Sequence, residues 1–189
     1  MGMLRWLLFL IFVGFVPLQA AKAAGEGNVC EVLFSPDDHL ADRLITLIEA
    51  EEKSIVIASY AFSHSLIAKA LCAAKERGVQ IELIVDPFSL NFSSALNKMA
   101  RAGIPILVWS PPPSSTKDER SSLMHDKFCI FGDKIVWTGS FNLTHKADHS
   151  NQENALIIHD KALVKKYKKQ FQLLKDRGCR LYQLRDKDR

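Results

Sequence analysis

The chain has 189 residues, 48% of them hydrophobic and 24% charged, which suffices for one cored domain and excludes a disordered or low-complexity polymer. The formal charge of +4 is modest, but it is unevenly spread: residues 161–189 hold eleven Lys/Arg against three Asp/Glu. A basic segment of this kind suits a polyanionic partner, although a solvated helix face is the simpler explanation.

In chain order, a single Arg5 precedes an apolar run from Trp6 to Val16, then Pro17 and the small residues Ala20 to Ala24. Charge, short apolar core and an A-x-A site at Ala21-Lys22-Ala23 predict a signal peptide over residues 1–23, with an uncleaved N-terminal anchor as the alternative. The run falls short of the roughly 20 apolar residues a membrane span needs. Residues 24–189 then form the exported domain, periplasmic or secreted. Export would expose Cys30, Cys72, Cys129 and Cys179 to oxidising conditions. Their wide spacing lacks the close pairs of a zinc site, and three disulfide pairings stay open. Cys72 and Cys129 lie in apolar stretches that suit buried thiols.

Beyond the leader, β-rich runs alternate with helical patterns. Cys30–Phe34 reads as a strand, and Asp37-Asp38 opens a helix to about Ala50. Ser54–Ser59 is a buried strand; Leu66–Arg77 is amphipathic and stopped by Gly78. Gln80–Val85 is the next strand, Ser93 or Ser94 caps a helix through Ala102, and Ile104–Trp109 is another strand. This alternation predicts an α/β fold with a mixed, mostly parallel sheet flanked by helices on both faces, in a single domain. Ser110–Ser122, with three consecutive prolines, Lys117 and Arg120, is too long for an ordinary connection and reads as a functional rim. Phe128–Phe131 and Lys134–Trp137 flank Gly132-Asp133 as a hairpin. Asn154–His159 is a strand, Lys161–Asp176 a basic amphipathic helix, and Arg180–Leu184 a last strand.

The informative constellation is His125-Asp126-Lys127, then Gly139-Ser140-Phe141-Asn142, then Glu153. Neither triplet nor quartet means much alone. Together they place His and Lys where one strand begins and Ser and Asn where its partner ends, so an antiparallel hairpin brings the four side chains to one edge of an apolar sheet. Such a convergence of polar side chains is what a phosphate site requires.

These residues resemble the signature of the phospholipase D superfamily, H-x-K followed by an aspartate and G-S-x-N, and the chain looks closest to its small bacterial endonucleases, which carry one copy. The stretch Ser59–Ser63, the strand ending Val85-Asp86, the Ala102–Pro105 turn and Asn151–Asn154 resemble family positions too. The resemblance implies a phospholipase D-like fold and catalysis without metal or other cofactor through a phosphohistidine at His125. It also implies charge neutralisation by Lys127, Ser140 and Asn142, and Glu153 accepting the second imidazole proton. One motif copy implies a homodimer sharing its active site, the partner's histidine protonating the leaving oxygen. One departure stands out: Gly132 occupies the usual aspartate position, with Asp133 beside it in the predicted turn.

His39, His64, His145, His149 and His159 read first as surface or capping residues. His64, Lys117, Arg120 and Lys146 are the further candidates for substrate contact, His64 because it follows a strand on the side where α/β sheets bind ligands. The expected activity is a non-specific endonuclease on DNA or RNA. The alternatives are a phospholipase D acting on phosphatidyl lipids or cardiolipin, and a nucleic-acid-binding protein weakened in catalysis.

Overall fold

The computed structural model describes residues 30–110 and 122–184. The leader over 1–23, and Lys117 and Arg120 in the proline-rich connection, lie outside the described residues. The strands are β1 (Cys30–Ser35), β2 (Ser54–Ser59), β3 (Gln80–Val85), β4 (Ile106–Trp109), β5 (Lys127–Phe131), β6 (Ile135–Gly139), β7 (Glu153–Ile158) and β8 (Cys179–Leu181). The α-helices are α1 (Leu40–Ala50), α2 (Ser65–Glu76), α3 (Ser93–Arg101), α4 (His145–His149) and α5 (Lys161–Gly178), with a 3-10 turn at Pro87–Phe92.

All eight strands join one sheet in the order β1-β7-β6-β5-β2-β3-β4-β8. The expected mixed sheet with helices on both faces is present. Its parallel part is confined to β2, β3 and β4, which are linked by the crossovers that α2 and α3 provide. The other five pairings are antiparallel: β5 runs in reverse beside β2, β6 returns from β5 through a tight turn, β7 returns after α4, and β1 and β8 close the two edges in reverse.

Strand alternation divides the apolar residues between two cores. Ile55 and Ile57 of β2, Leu83 of β3, Cys129 and Phe131 of β5 and Trp137 of β6 pack under α1, α2 and α3. Ala58, Ile84, Phe128, Ile130 and Val136 face the other way and meet Val164, Phe171 and Leu174 of α5. Helix α5 packs on β4, β5 and β6 but leaves the β1–β7 edge of its face uncovered, so Val32 and Phe34 are 49% and 57% exposed. Among the described residues no helix is long and apolar enough to cross a membrane.

All four cysteines are free thiols. Cys30 and Cys179 lie on strands at opposite edges of the sheet. Seven inter-strand steps of about 4.8 Å separate them, whereas a disulfide needs Cα atoms within about 7 Å. Cys129 is fully buried, and burial pushes its thiol far above the ordinary range.

At two places near Asp148 the local structure is set from across the chain. Helix α1 begins at Leu40 rather than at the aspartates: His39 takes a left-handed conformation, and Asp38 turns back to accept from the Phe34 amide at 2.8 Å. The α1 amide of Ala41 is met instead by Asp148 Oδ1 of α4, at 2.9 Å across more than a hundred residues of chain. His64 is a cap rather than an open ligand: its Nδ1 accepts from the Ile67 amide at 3.4 Å, it is 4% exposed, and its Nε2 is 3.8 Å from Asp148 Oδ2. The strand end does face the ligand side, but the polar amides at the start of α2 capture the ring.

Burial holds the His64 imidazole below its ordinary pKa, opposed by Asp148 and assisted by His145 and His149. The unfolded chain takes up this proton near 6.5, the unperturbed value, while the folded chain resists it. The stability His64 contributes is therefore present above 6.5 and lost as pH falls below it. Thermal melts between pH 7 and 5 should show wild type losing stability in this window, and His64→Asn, which can still cap, should show a shallower loss.

Candidate active site

The site forms where three strands end side by side. β5 starts at Lys127, and Lys127 pairs with Ser59 at the end of β2. β6 ends at Gly139, which pairs with Ala155 of β7. The glycine is required by proximity: a Cβ there would stand 2.1 Å from the Asn154 carbonyl oxygen and 2.9 Å from Ala155 Cα, both backbone. This close approach lets Ser140 dock on β7. Its amide donates to the Asn154 carbonyl at 3.0 Å, and its hydroxyl accepts from the Asn154 amide at 3.0 Å.

That hydroxyl in turn donates to Glu153 Oε2 at 2.6 Å, while Asn151 Nδ2 donates to Oε1 at 2.9 Å. Glu153 also has its own amide held by Ser35 Oγ, at 3.2 Å. The carboxylate is thus oriented from both sides. The expected contact between Glu153 and the His125 ring is not made here, because both carboxylate oxygens already have donors on their own strand edge.

His125 is exposed and is placed by Lys127 and Tyr60. Lys127 Nζ donates to the His125 carbonyl at 2.8 Å and stands 3.3 Å from both ring nitrogens. The imidazole lies against the Tyr60 ring with centroids 4.6 Å apart, and the same ammonium sits 5.3 Å from the Tyr60 centroid. Asp126, between His and Lys, turns away and accepts from Gln170 of α5 at 3.1 Å. The structure therefore brings His125 and Lys127 into one group and Ser140 and Glu153 into another. The field of Glu153 at Lys127 links the two. Asn142, half-buried beyond Ser140, keeps an enclosed Oδ1 without a hydrogen-bond partner.

Lys146 is exposed on α4, whereas His64 lies buried under the neighbouring rings. His145 stacks on His149 at 3.9 Å, and its centroid is 6.1 Å from that of His64. Tyr60 and Asn151 lie in stretches that resemble family positions, but sequence reasoning gave neither a role. Tyr60 follows β2 directly, at the strand end where α/β sheets take ligands, a position that could have marked it. The part Asn151 plays depends on where Glu153 points, which only the fold shows.

Gly132 lies at the opposite end of the β5–β6 hairpin from Lys127. Along five residues of strand that is about 16 Å, out of reach of any group bonded to His125. Gly132 is left-handed, with φ 53°, and its amide donates to the Ser54 carbonyl at 2.8 Å. Asp133 next to it pairs with Lys168 of α5 at 2.6 Å. The position serves the turn. Among the described residues no group of three His, Cys, Asp or Glu side chains is placed to hold a metal ion.

An imidazole, an ammonium, a hydroxyl and a carboxylate gathered at one edge of a mixed α/β sheet define a phosphate-handling class, and comparison with known proteins agrees. Residues 44–175 match the family model described as "Cardiolipin synthase, PLD-like domain". A phospholipase D of Rickettsia felis is 33% identical over 148 residues, covering 74% of this chain and 70% of that protein. A mitochondrial cardiolipin hydrolase of Xenopus tropicalis is 29% identical over 146 residues, 77% of this chain, and the chain spans 65% of its length. Among solved structures, Nuc of Salmonella typhimurium, a phospholipase D family member, superposes with TM-score 0.74 at 30% identity, covering 84% of this chain and all of that one. NucT from Helicobacter pylori superposes with TM-score 0.72 at 25% identity, covering 82% of this chain and all of its own. The chain belongs to the phospholipase D superfamily.

Burial lowers the Lys127 ammonium from its ordinary pKa of 10.5, while Glu153 and then Asp126 pull it back up. An NMR titration of Lys127 Nζ should give a midpoint below 10.5. In Glu153→Gln, with the main opposing anion removed, the midpoint should fall further; an upward move would show that Glu153 does not act on this charge.

Proposed function

We propose that the chain is a phosphodiesterase that works through a phosphohistidine and acts chiefly as an endonuclease on DNA or RNA. The observation that carries this reading is the exposed His125 ring with the Lys127 ammonium 3.3 Å from both its nitrogens, at a sheet edge shared with Ser140 and Glu153. In the first step a lone pair of the neutral imidazole forms a bond to phosphorus as the bond to the leaving oxygen breaks, and an acid delivers a proton to that oxygen. In the second step water attacks the phosphohistidine, loses its proton to the same acid and frees the imidazole. Lys127 neutralises charge on the non-bridging oxygens and Asn142 donates to them through its amide; Ser140, whose one hydroxyl proton is held by Glu153, adds its bond by turning from that carboxylate to the phosphate. Glu153 acts as a positioning residue through Ser140.

One motif copy supplies one histidine, so the acid comes from a second copy of the chain in a two-fold dimer. The uncovered face of β1 and β7 favours such an assembly. Val32 and Phe34 lie exposed there, paired with Leu156 and Asn154 of β7, whose next neighbour is Glu153. An apolar patch continuous with the catalytic edge is suited to a partner. The nucleic-acid preference rests on the resemblance to single-copy bacterial endonucleases and on the lysines of α5. Lipid cleavage is the second reading, favoured by the cardiolipin- and phospholipid-directed names of the relatives. The idea of a catalytically weakened binder loses its motive, since Gly132 sits at the far end of the hairpin.

Purified residues 24–189, given plasmid, RNA and labelled cardiolipin in EDTA, should cleave a nucleic acid, and His125→Ala should lose about a thousandfold or more of that rate. Cleavage abolished by EDTA, or faster turnover of cardiolipin than of either nucleic acid, would overturn the leading reading. Phe34→Asp should shift the protein from dimer to monomer in sedimentation and lower activity in parallel; an active monomer would refute the shared site.

A further inference from the structure

One aromatic surface beside the nucleophile has no part in the chemistry described so far. Behind the His125 ring, Tyr60 stacks on Phe88 with centroids 5.1 Å apart and planes 7° from parallel, and Phe88 meets Phe92 edge-on at 5.8 Å. Phe88 and Phe92 are 42% and 48% exposed, and Leu123, two residues before His125, is 60% exposed. Tyr60, Asp86, Phe88, Asn91, Trp109 and Leu123 line an open groove of about 500 Å³, and Tyr60 in its wall touches the His125 ring. Large apolar side chains in this number at the mouth of a site are costly to leave in water unless something covers them.

The shelf is built, not incidental. The 3-10 turn that carries Phe88 and Phe92 is pinned by Asp86, which is 3% exposed and accepts from the Phe88 amide at 2.9 Å through Oδ1. Oδ2 of the same carboxylate accepts from the Met124 amide at 2.9 Å, one residue before His125. Ser89, fully buried, donates to the Tyr60 carbonyl at 3.0 Å and accepts from the Phe62 amide at 3.1 Å. Shelf and nucleophile thus hang from shared side chains.

We propose that the Tyr60–Phe88–Phe92 shelf is a stacking subsite for the base flanking the scissile phosphate in a single-stranded nucleic acid; this rests on the nuclease reading above. A planar, uncharged base is the occupant that the surface fits. The Asp86 carboxylate in the groove wall disfavours a phosphate there. The exposed apolar surface includes the rings of Phe88 and Phe92, on which a π-system can stack, and the exposed Asn91 amide can meet a base edge. Stacking of this kind is tolerant of sequence, because every base offers a π-face. A lipid acyl chain in the same groove is the alternative outcome.

The test compares a dT 12-mer, a 12-unit abasic tetrahydrofuran strand of equal charge, and cardiolipin vesicles. Substrates are given to wild type and to Phe88→Ala, Phe88→Leu and Phe88→Trp, with melting temperature and oligomeric state checked for each. Wild type should have a KM for dT roughly tenfold below that for the abasic strand. Phe88→Ala and Phe88→Leu should erase this difference by raising the KM for dT alone, and Phe88→Trp should restore it. Equal KM values for the two strands in wild type, full retention of the difference in Phe88→Leu, or a defect confined to cardiolipin would overturn the subsite. If wild type cleaves neither strand, and neither the plasmid nor the RNA, the nuclease reading fails separately. Fluorescence anisotropy of the same strands then decides the shelf: a dT preference lost in Phe88→Ala supports it, and equal affinities refute it.

Discussion

The site depends on how closely two backbones approach. At Gly139, β6 lies so tightly on β7 that no side chain fits between its Cα and the Asn154 carbonyl. That contact sets the position of Ser140, whose backbone and hydroxyl then bond reciprocally with Asn154 and whose hydroxyl reaches Glu153. Any residue with a Cβ would push the strand ends apart by an ångström or more. An overpacked contact of this type costs on the order of 1–3 kcal/mol, and the larger loss would be the geometry of the serine and carboxylate. The G-S pair is thus a packing solution first and a chemical one second.

Opposite this edge, His125 has a different kind of support. Its neighbours are an aromatic face and a half-buried ammonium. On the proposed reading, that ammonium would meet the charge that develops on the phosphoryl oxygens. The carboxylate stands one step back, bonded to Ser140 and acting on Lys127 through its charge.

Much of this was legible in the sequence, and the exceptions have physical reasons. The strands and helices around β2, α2, β3 and β4 follow from apolar alternation and glycine stops, both local signals. The convergence of His125, Lys127 and Ser140 followed from hairpin geometry, because an antiparallel pair has to bring those ends together. What local pattern misjudged was capping across the chain. Asp37 and Asp38 look like the start of α1, yet Asp148 supplies the Ala41 contact from α4, a short helix with too few residues to show a period. For His64 both a capping and a substrate role were open in the sequence, because its partner amide lies nearby in α2 but the residues that bury it come from beyond Asn142. The direction of the Glu153 carboxylate was likewise invisible, since Asn151 and Ser140 claim it only once β6 and β7 are in register. The parallel sheet expected from the first half of the chain is real but local, ending where β5 enters beside β2 in the reverse direction.

Asp86 ties two pieces of chain with one carboxylate, one oxygen to the turn bearing Phe88 and the other to the residue preceding His125. With no hinge between them, a displacement of the aromatic ledge carries over to the residue before His125. If the ledge holds a base as proposed, grip on the polymer and aim at its phosphorus would be one mechanical adjustment, and a strand seated badly would present its ester out of line.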